Sequence, residues 1–81
     1  MKQERLLTFE MSPDGELLEI HANSKGLESL IKILTAVLER NMGDHTHLMI
    51  PDWGGTELSN EKQGSGNVLI PHVKVYRWHD A

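Results

Sequence analysis

Apolar and polar residues alternate along the first part of the chain with the period of a β-strand. Over residues 5–11, Leu7, Phe9 and Met11 fall on one face, Thr8 and Glu10 on the other. Ser12-Pro13-Asp14-Gly15 follows. Proline presets φ for a turn, and glycine closes it. Over residues 16–22, Leu18, Ile20 and Ala22 share a face and Glu19 opposes them. The pattern predicts a β-hairpin.

The period then changes. Asn23 and Ser24 supply oxygens suited to a helix N-cap. Leu27, Leu30, Ile31, Leu34, Val37 and Leu38 recur at helical spacing within an arc of about 120°, the width of a core-facing stripe. Lys25, Glu28, Lys32 and Glu39 lie on the other side, with Glu28 and Lys32 as an i,i+4 pair. Arg40 suits the last turn, and Asn41 and Gly43 supply a stop. The spacing predicts a helix over about 25–41, its stripe packed on the sheet and Leu34 in the core.

Two further strands are expected. Residues 45–50 read as the third, ended by Pro51, and residues 68–78 as a long fourth. Pro71 cannot donate to a ladder, so it belongs at an edge, a bulge or a strand's start. The connection 51–67 holds glycines at 54, 55, 64 and 66. Thr56-Glu57-Leu58 is expected as a short strand tied to the core by Leu58, and Ser59 to Asn67 as a mobile loop. The predicted architecture is α+β: a two-layer β-β-α-β-β fold, one amphipathic helix on one face of a mostly antiparallel four-stranded sheet. The sheet's second face has no helix to cover it. That face and the edges are candidate contact surfaces.

Eighty-one residues predict one domain, 1–81, with a thin core. There is no cysteine to reinforce it, which fits the cytoplasm. No apolar signal segment follows Met1, and the longest apolar runs are too short to span a bilayer. The net charge is −4. No basic stripe is available for a phosphate backbone, so direct nucleic-acid binding is not expected, and an acidic domain is better placed to attract a basic protein.

Little in the chain points to catalysis. There is no cysteine nucleophile, no Gly-x-Ser-x-Gly elbow, and no helix start after Gly54-Gly55 to make a phosphate loop. Among five histidines, His45 and His47 share a strand face and could converge on a metal, with His72 or Asp52 as a third ligand. The alternative is that they line a solvated or partner-facing strand surface. No catalytic residue, cofactor or metal site is assigned.

The unusual segment is Pro51-Asp52-Trp53-Gly54-Gly55-Thr56-Glu57-Leu58. Connections this long are often functional. Trp53 either folds back beside Ile50 and Leu58 or anchors a partner. Tyr76 and Trp78 share a face of the last strand and either cover the open sheet face or join a contact patch.

Gly26-Leu27 with the helix after it, His45-x-His47-Leu48-Met49, Pro51-x-Trp53-Gly54-Gly55-Thr56-Glu57-Leu58 and Val73-Lys74-Val75-Tyr76-Arg77-Trp78 together span residues 26–78. In these motifs the chain resembles small immunity proteins of bacterial polymorphic toxin and contact-dependent growth inhibition systems. It is most similar to the family of immunity protein thirty-two. The resemblance implies a non-enzymatic cytoplasmic protein that binds and blocks a cognate toxin C-terminal domain. Many such toxins are nucleases with basic surfaces. It carries over no catalytic residue. The partner-binding candidates are Asp52, Trp53, Glu57 and Glu61 in the long connection, with Tyr76 and Trp78 on the last strand. Rival readings are a small histidine-based metal-binding protein and a structural or regulatory subunit that forms a weak homodimer through a sheet edge.

Overall fold

The computed structural model describes residues 4–39 and 45–80. The order is β1 (Leu7–Met11), β2 (Leu18–Ala22), α1 (Ser24–Glu39), β3 (His45–Met49), a 3-10 turn (Pro51–Trp53), β4 (Val68–Leu69) and β5 (His72–Tyr76). The α+β class holds, and so does the β-β-α-β-β succession except that the expected fourth strand is two, β4 and β5. The single four-stranded sheet does not. The strands form two antiparallel sheets, β2-β1-β4 and β3-β5.

The expected long last strand is cut at Pro71. Ile70 N donates to Phe9 O at 2.8 Å, and one residue later Pro71 O accepts from Ile50 N at 3.0 Å. Proline has no N–H with which to continue a ladder. The chain therefore leaves the first sheet there and enters the second. The long connection stitches the two together: Leu58 N donates to Met49 O and Ser59 N to Leu7 O. Thr56-Glu57-Leu58 is a bend rather than a strand, yet Leu58 is buried as expected.

The hairpin closes through backbone bonds from Ser12 N to Leu17 O and from Gly15 N to Ser12 O, both 2.9 Å. The register sets Leu7, Phe9 and Met11 opposite Ala22, Ile20 and Leu18. Asn23 caps α1: its Oδ1 accepts from Gly26 N at 2.8 Å and also from Leu6 N at 3.0 Å, which ties the helix start to the entry of β1. The expected stop at Arg40, Asn41 and Gly43 lies outside the described residues.

The core is Leu7, Phe9, Leu48, Ile50 and Leu58, with Leu30 and Ile33 of the helix packed against it. The helix is rotated relative to the sequence expectation. At ~100° per residue, Gly26, Leu30, Ile33 and Val37 occupy an arc of about 60° that faces inward. Leu27, Ile31, Leu34 and Leu38 are exposed. The apolar side of α1 is wider than the thin core can cover.

The other face of the first sheet is covered, whereas the sequence pattern predicts an open one. Thr8 and Glu10 are fully buried on it. Glu10 accepts hydrogen bonds from Thr8 Oγ1, from the backbone of Gln63 and Gly64, and from Asn67 Nδ2. Residues 63–67 are pinned over the strand instead of forming a mobile loop.

Candidate partner-binding face

The second sheet is a two-stranded ribbon with dissimilar faces. Its register pairs His45 with Tyr76, His47 with Lys74 and Met49 with His72, and directly opposed residues share a face. The alternate set, Thr46, Leu48, Val73 and Val75, turns toward the core, where Leu48 is fully buried. Period-two alternation thus sends every ring of the ribbon outward.

Those rings form a continuous ladder. Trp53 lies 5.8 Å from His72 between centroids, His72 lies 4.9 Å from His47, and His47 lies 5.0 Å from His45. His45 lies 5.3 Å from Tyr76, which stacks on Trp78 at 6.2 Å. Lys74 Nζ sits 4.9 Å from the centre of the Tyr76 ring. Trp78 is 78% exposed and Trp53 57% exposed. Neither indole folds into the core.

The 3-10 turn positions Trp53. Pro51 fixes φ at its start, Trp53 N donates to Ile50 O at 2.9 Å and Gly54 N to Pro51 O at 2.8 Å. Gly54 then adopts φ 86°, which L residues rarely take. At Gly55 a Cβ would strike the Met49 carbonyl. The glycine pair is therefore needed to fold the turn tightly back on β3 and hold the indole beside His72.

The candidate carboxylates divide. Asp52 is exposed beside Trp53. Glu57 is half-buried and engaged: its Oε1 accepts from Met49 N at 3.1 Å and from Thr56 N at 3.4 Å. Burial pushes its carboxyl up, but the bonds from Met49 and Thr56 outweigh that and hold it below the usual range. Glu57 shapes the connection. Glu61 is exposed and lines a groove of about 490 Å³ with Glu4, Arg5, Pro51 and Ser59. The structure brings Trp53, Tyr76 and Trp78 together and leaves Glu57 outside the ladder.

His45 and His47 do share a face, but their neighbours are rings. His47 Nδ1 and His72 Nε2 are 2.7 Å apart and hydrogen-bond to each other. Among the described residues, no group of three or more His, Cys, Asp or Glu is arranged to hold a metal ion. The His47 imidazole is held below its ordinary range, first by loss of water around the ring and then by the positive charge His72, His45 and Lys74 can carry. The face can offer stacking surface and imidazole, phenol and indole hydrogen bonds, beside the Lys74 ammonium. No helix among the described residues is long and apolar enough to cross a membrane.

No curated protein and no solved structure matches the chain. The profile of the family described as Immunity protein 32 matches residues 18–73, which takes in α1, β3, the Trp53 turn and the start of β5. That is well over half of the sequence, and the chain belongs to the Immunity protein 32 family.

Proposed function

We propose that this protein neutralises a cognate toxin C-terminal domain of a contact-dependent inhibition system in the cytoplasm, meeting it through the ring ladder of the β3–β5 ribbon. The observation that carries this reading is the unbroken series Trp53–His72–His47–His45–Tyr76–Trp78, exposed except at the half-buried His72. A small domain gains nothing in core stability from two indoles held in water. Tryptophan and tyrosine are the side chains that most often carry binding energy at interfaces. Membership of an immunity family supplies the class of partner.

The reading includes a basic partner, such as a nuclease. The net charge of −4 would steer a cationic domain toward this one, while the ladder supplies contact after encounter. Asp52 and Glu61 are exposed and suited to the rim of the interface; Glu57 contributes by holding the turn. Binding, not turnover, is the activity.

The test is affinity for the cognate toxin domain, measured at two salt concentrations with circular dichroism as a folding control. Trp53→Ala and Trp78→Ala should each weaken binding more than tenfold, the size of a hot-spot loss. Asp52→Ala with Glu61→Ala should mainly slow association and flatten the salt dependence. Folded ladder variants that bind and protect like the parent would place the interface elsewhere.

A further inference from the structure

Four large apolar side chains of α1 are 45–66% exposed: Leu27, Ile31, Leu34 and Leu38. Their spacings are four, three and four, the d-a-d-a order of a coiled-coil seam. They fill a second arc of about 60°, centred about 100° around the helix from the inward-facing residues. This stripe lies on α1 and the ring ladder on the β3–β5 ribbon; Arg77 Nε donates to Leu38 O at 3.0 Å where the two elements meet. We propose that the stripe is a self-association surface, on which a second copy of this chain packs its own α1 antiparallel to the first.

Two observations select a second copy. The seam is self-complementary under a two-fold axis, as an isologous interface must be. An axis midway between Ile31 and Leu34 sets Ile31 against Leu34 of the second copy and Leu27 against its Leu38. Charge agrees with this. The chain carries −4, so most of its surface repels a like copy, yet α1 holds Lys25 and Lys32 against Glu28 and Glu39 and is neutral. No charged helix residue falls within about 70° of the stripe's centre. A basic toxin would find nothing there to steer it, whereas two acidic copies can approach each other. Direction follows from the helix dipoles: antiparallel packing opposes the two macrodipoles favourably, and parallel packing would align them.

The size of the stripe sets the strength. At these exposures the four side chains offer on the order of 400 Å² per copy, about 800 Å² for the pair, below the roughly 1,200 Å² at which stable specific interfaces begin. The dimer is weak and reversible, forming at high micromolar concentration, on the order of 100 μM.

Sedimentation velocity across about 5 μM to 1 mM tests this. The parent should move from monomer toward dimer. Ile31→Lys and Leu34→Glu should each stay folded and monomeric, since both positions are exposed. Mixing the two should restore association at low salt, because antiparallel packing opposes position 31 to position 34. Mixing Ile31→Lys with Ile31→Glu should not restore it. A parent monomeric at 1 mM overturns the proposal, as does dimerisation that survives both single variants. Association only in the 31-with-31 mixture would mean parallel helices and would overturn the stated geometry. A monomeric parent whose toxin binding is abolished by Ile31→Lys would assign the stripe to the toxin. The sedimentation arms contain no toxin, so their failure is distinct from failure of the ladder reading.

Discussion

Asn67 Nδ2 donates to Glu10 Oε1 at 3.0 Å across 57 positions of sequence, and both side chains are buried. This contact, with the bonds from Gln63 N and Gly64 N to the same carboxylate, fastens the end of the long connection over β1. Burial raises the Glu10 carboxyl, but the bonds from Thr8, Asn67, Gln63 and Gly64 outweigh it and lower its pKa to about 2.

The first prediction follows from that depression. The folded state holds the ionised form more tightly than the unfolded state does. The stabilisation is present above the ordinary value of 4.5 and is lost as pH falls through about 2. Denaturant unfolding should show the midpoint dropping across this window. Glu10→Gln should flatten the drop and lower stability at pH 7 by about 1–3 kcal/mol, with faster amide exchange at residues 63–67. A variant with the parent's acid profile would mean that another carboxylate governs it.

Leu48 and Leu34 are predicted to behave oppositely despite equal chemistry. Leu48 is fully buried between the sheets, and Leu48→Ala should cost about 2–5 kcal/mol. Leu34 faces solvent on the free stripe, and Leu34→Ala should change monomer stability by less than about 0.5 kcal/mol. Paired urea melts at low protein concentration check this. A large loss at Leu34 would mean that the helix sits with its other face inward.

This pair shows where the sequence was readable. Helical spacing from Leu27 to Leu38 located α1, and alternation located β1, β2 and β3. Periodicity reports that a face is apolar; it does not report how much of that face the rest of the chain can cover. The apolar arc of α1 is wider than the core, so the stripe was misplaced and Ile33, which packs inward, was missed. Pro71 announced a discontinuity, but the destination of the chain after it depends on Ile50 and Phe9, which are remote in sequence. The site was half legible. Trp53, Tyr76 and Trp78 were marked by composition and alternation. Their union through His45, His47 and His72 required the β3–β5 register, which nothing local encodes.

Gly26 yields a prediction contrary to helix propensity. Alanine in place of an interior glycine is ordinarily worth about 1 kcal/mol to a helix. Here a Cβ at position 26 would land on the Leu6 carbonyl and lie 3.1 Å from the Ala22 Cβ. Leu6 is itself fixed by its hydrogen bond to Asn23. Gly26→Ala should therefore destabilise the protein by about 1–3 kcal/mol, as overpacking does. Thr35→Ala, at an exposed position of the same helix, should stabilise by a few tenths of a kcal/mol. Thermal melts of both variants decide it, and a stabilised Gly26→Ala would show that the helix start is not held against β1.

The last prediction concerns acidity at the ladder. His47 is already held below its ordinary range by loss of water and by His72, His45 and Lys74. Its folded-state pKa is depressed, so its contribution to stability is present above about 6.5 and declines as pH falls through the lower folded value. Charging His47 also adds to the positive charge of Lys74 on this face, the sign of a basic partner. Affinity for the cognate toxin domain should therefore be steady at neutral pH and fall as pH drops below the ordinary imidazole value of 6.5. The His47→Gln, His72→Gln double variant keeps hydrogen-bonding capacity but removes the His47 imidazole and the ring that it bonds. It should bind more weakly than the parent at neutral pH, because two stacked rings are lost, and with a flatter pH dependence. Histidine ring resonances followed by NMR should show His47 titrating below the ordinary imidazole value in the parent. If binding to the toxin has the same pH profile in both proteins, the partner does not sit on the imidazoles, and the carboxylates of the 51–61 segment become the leading contacts.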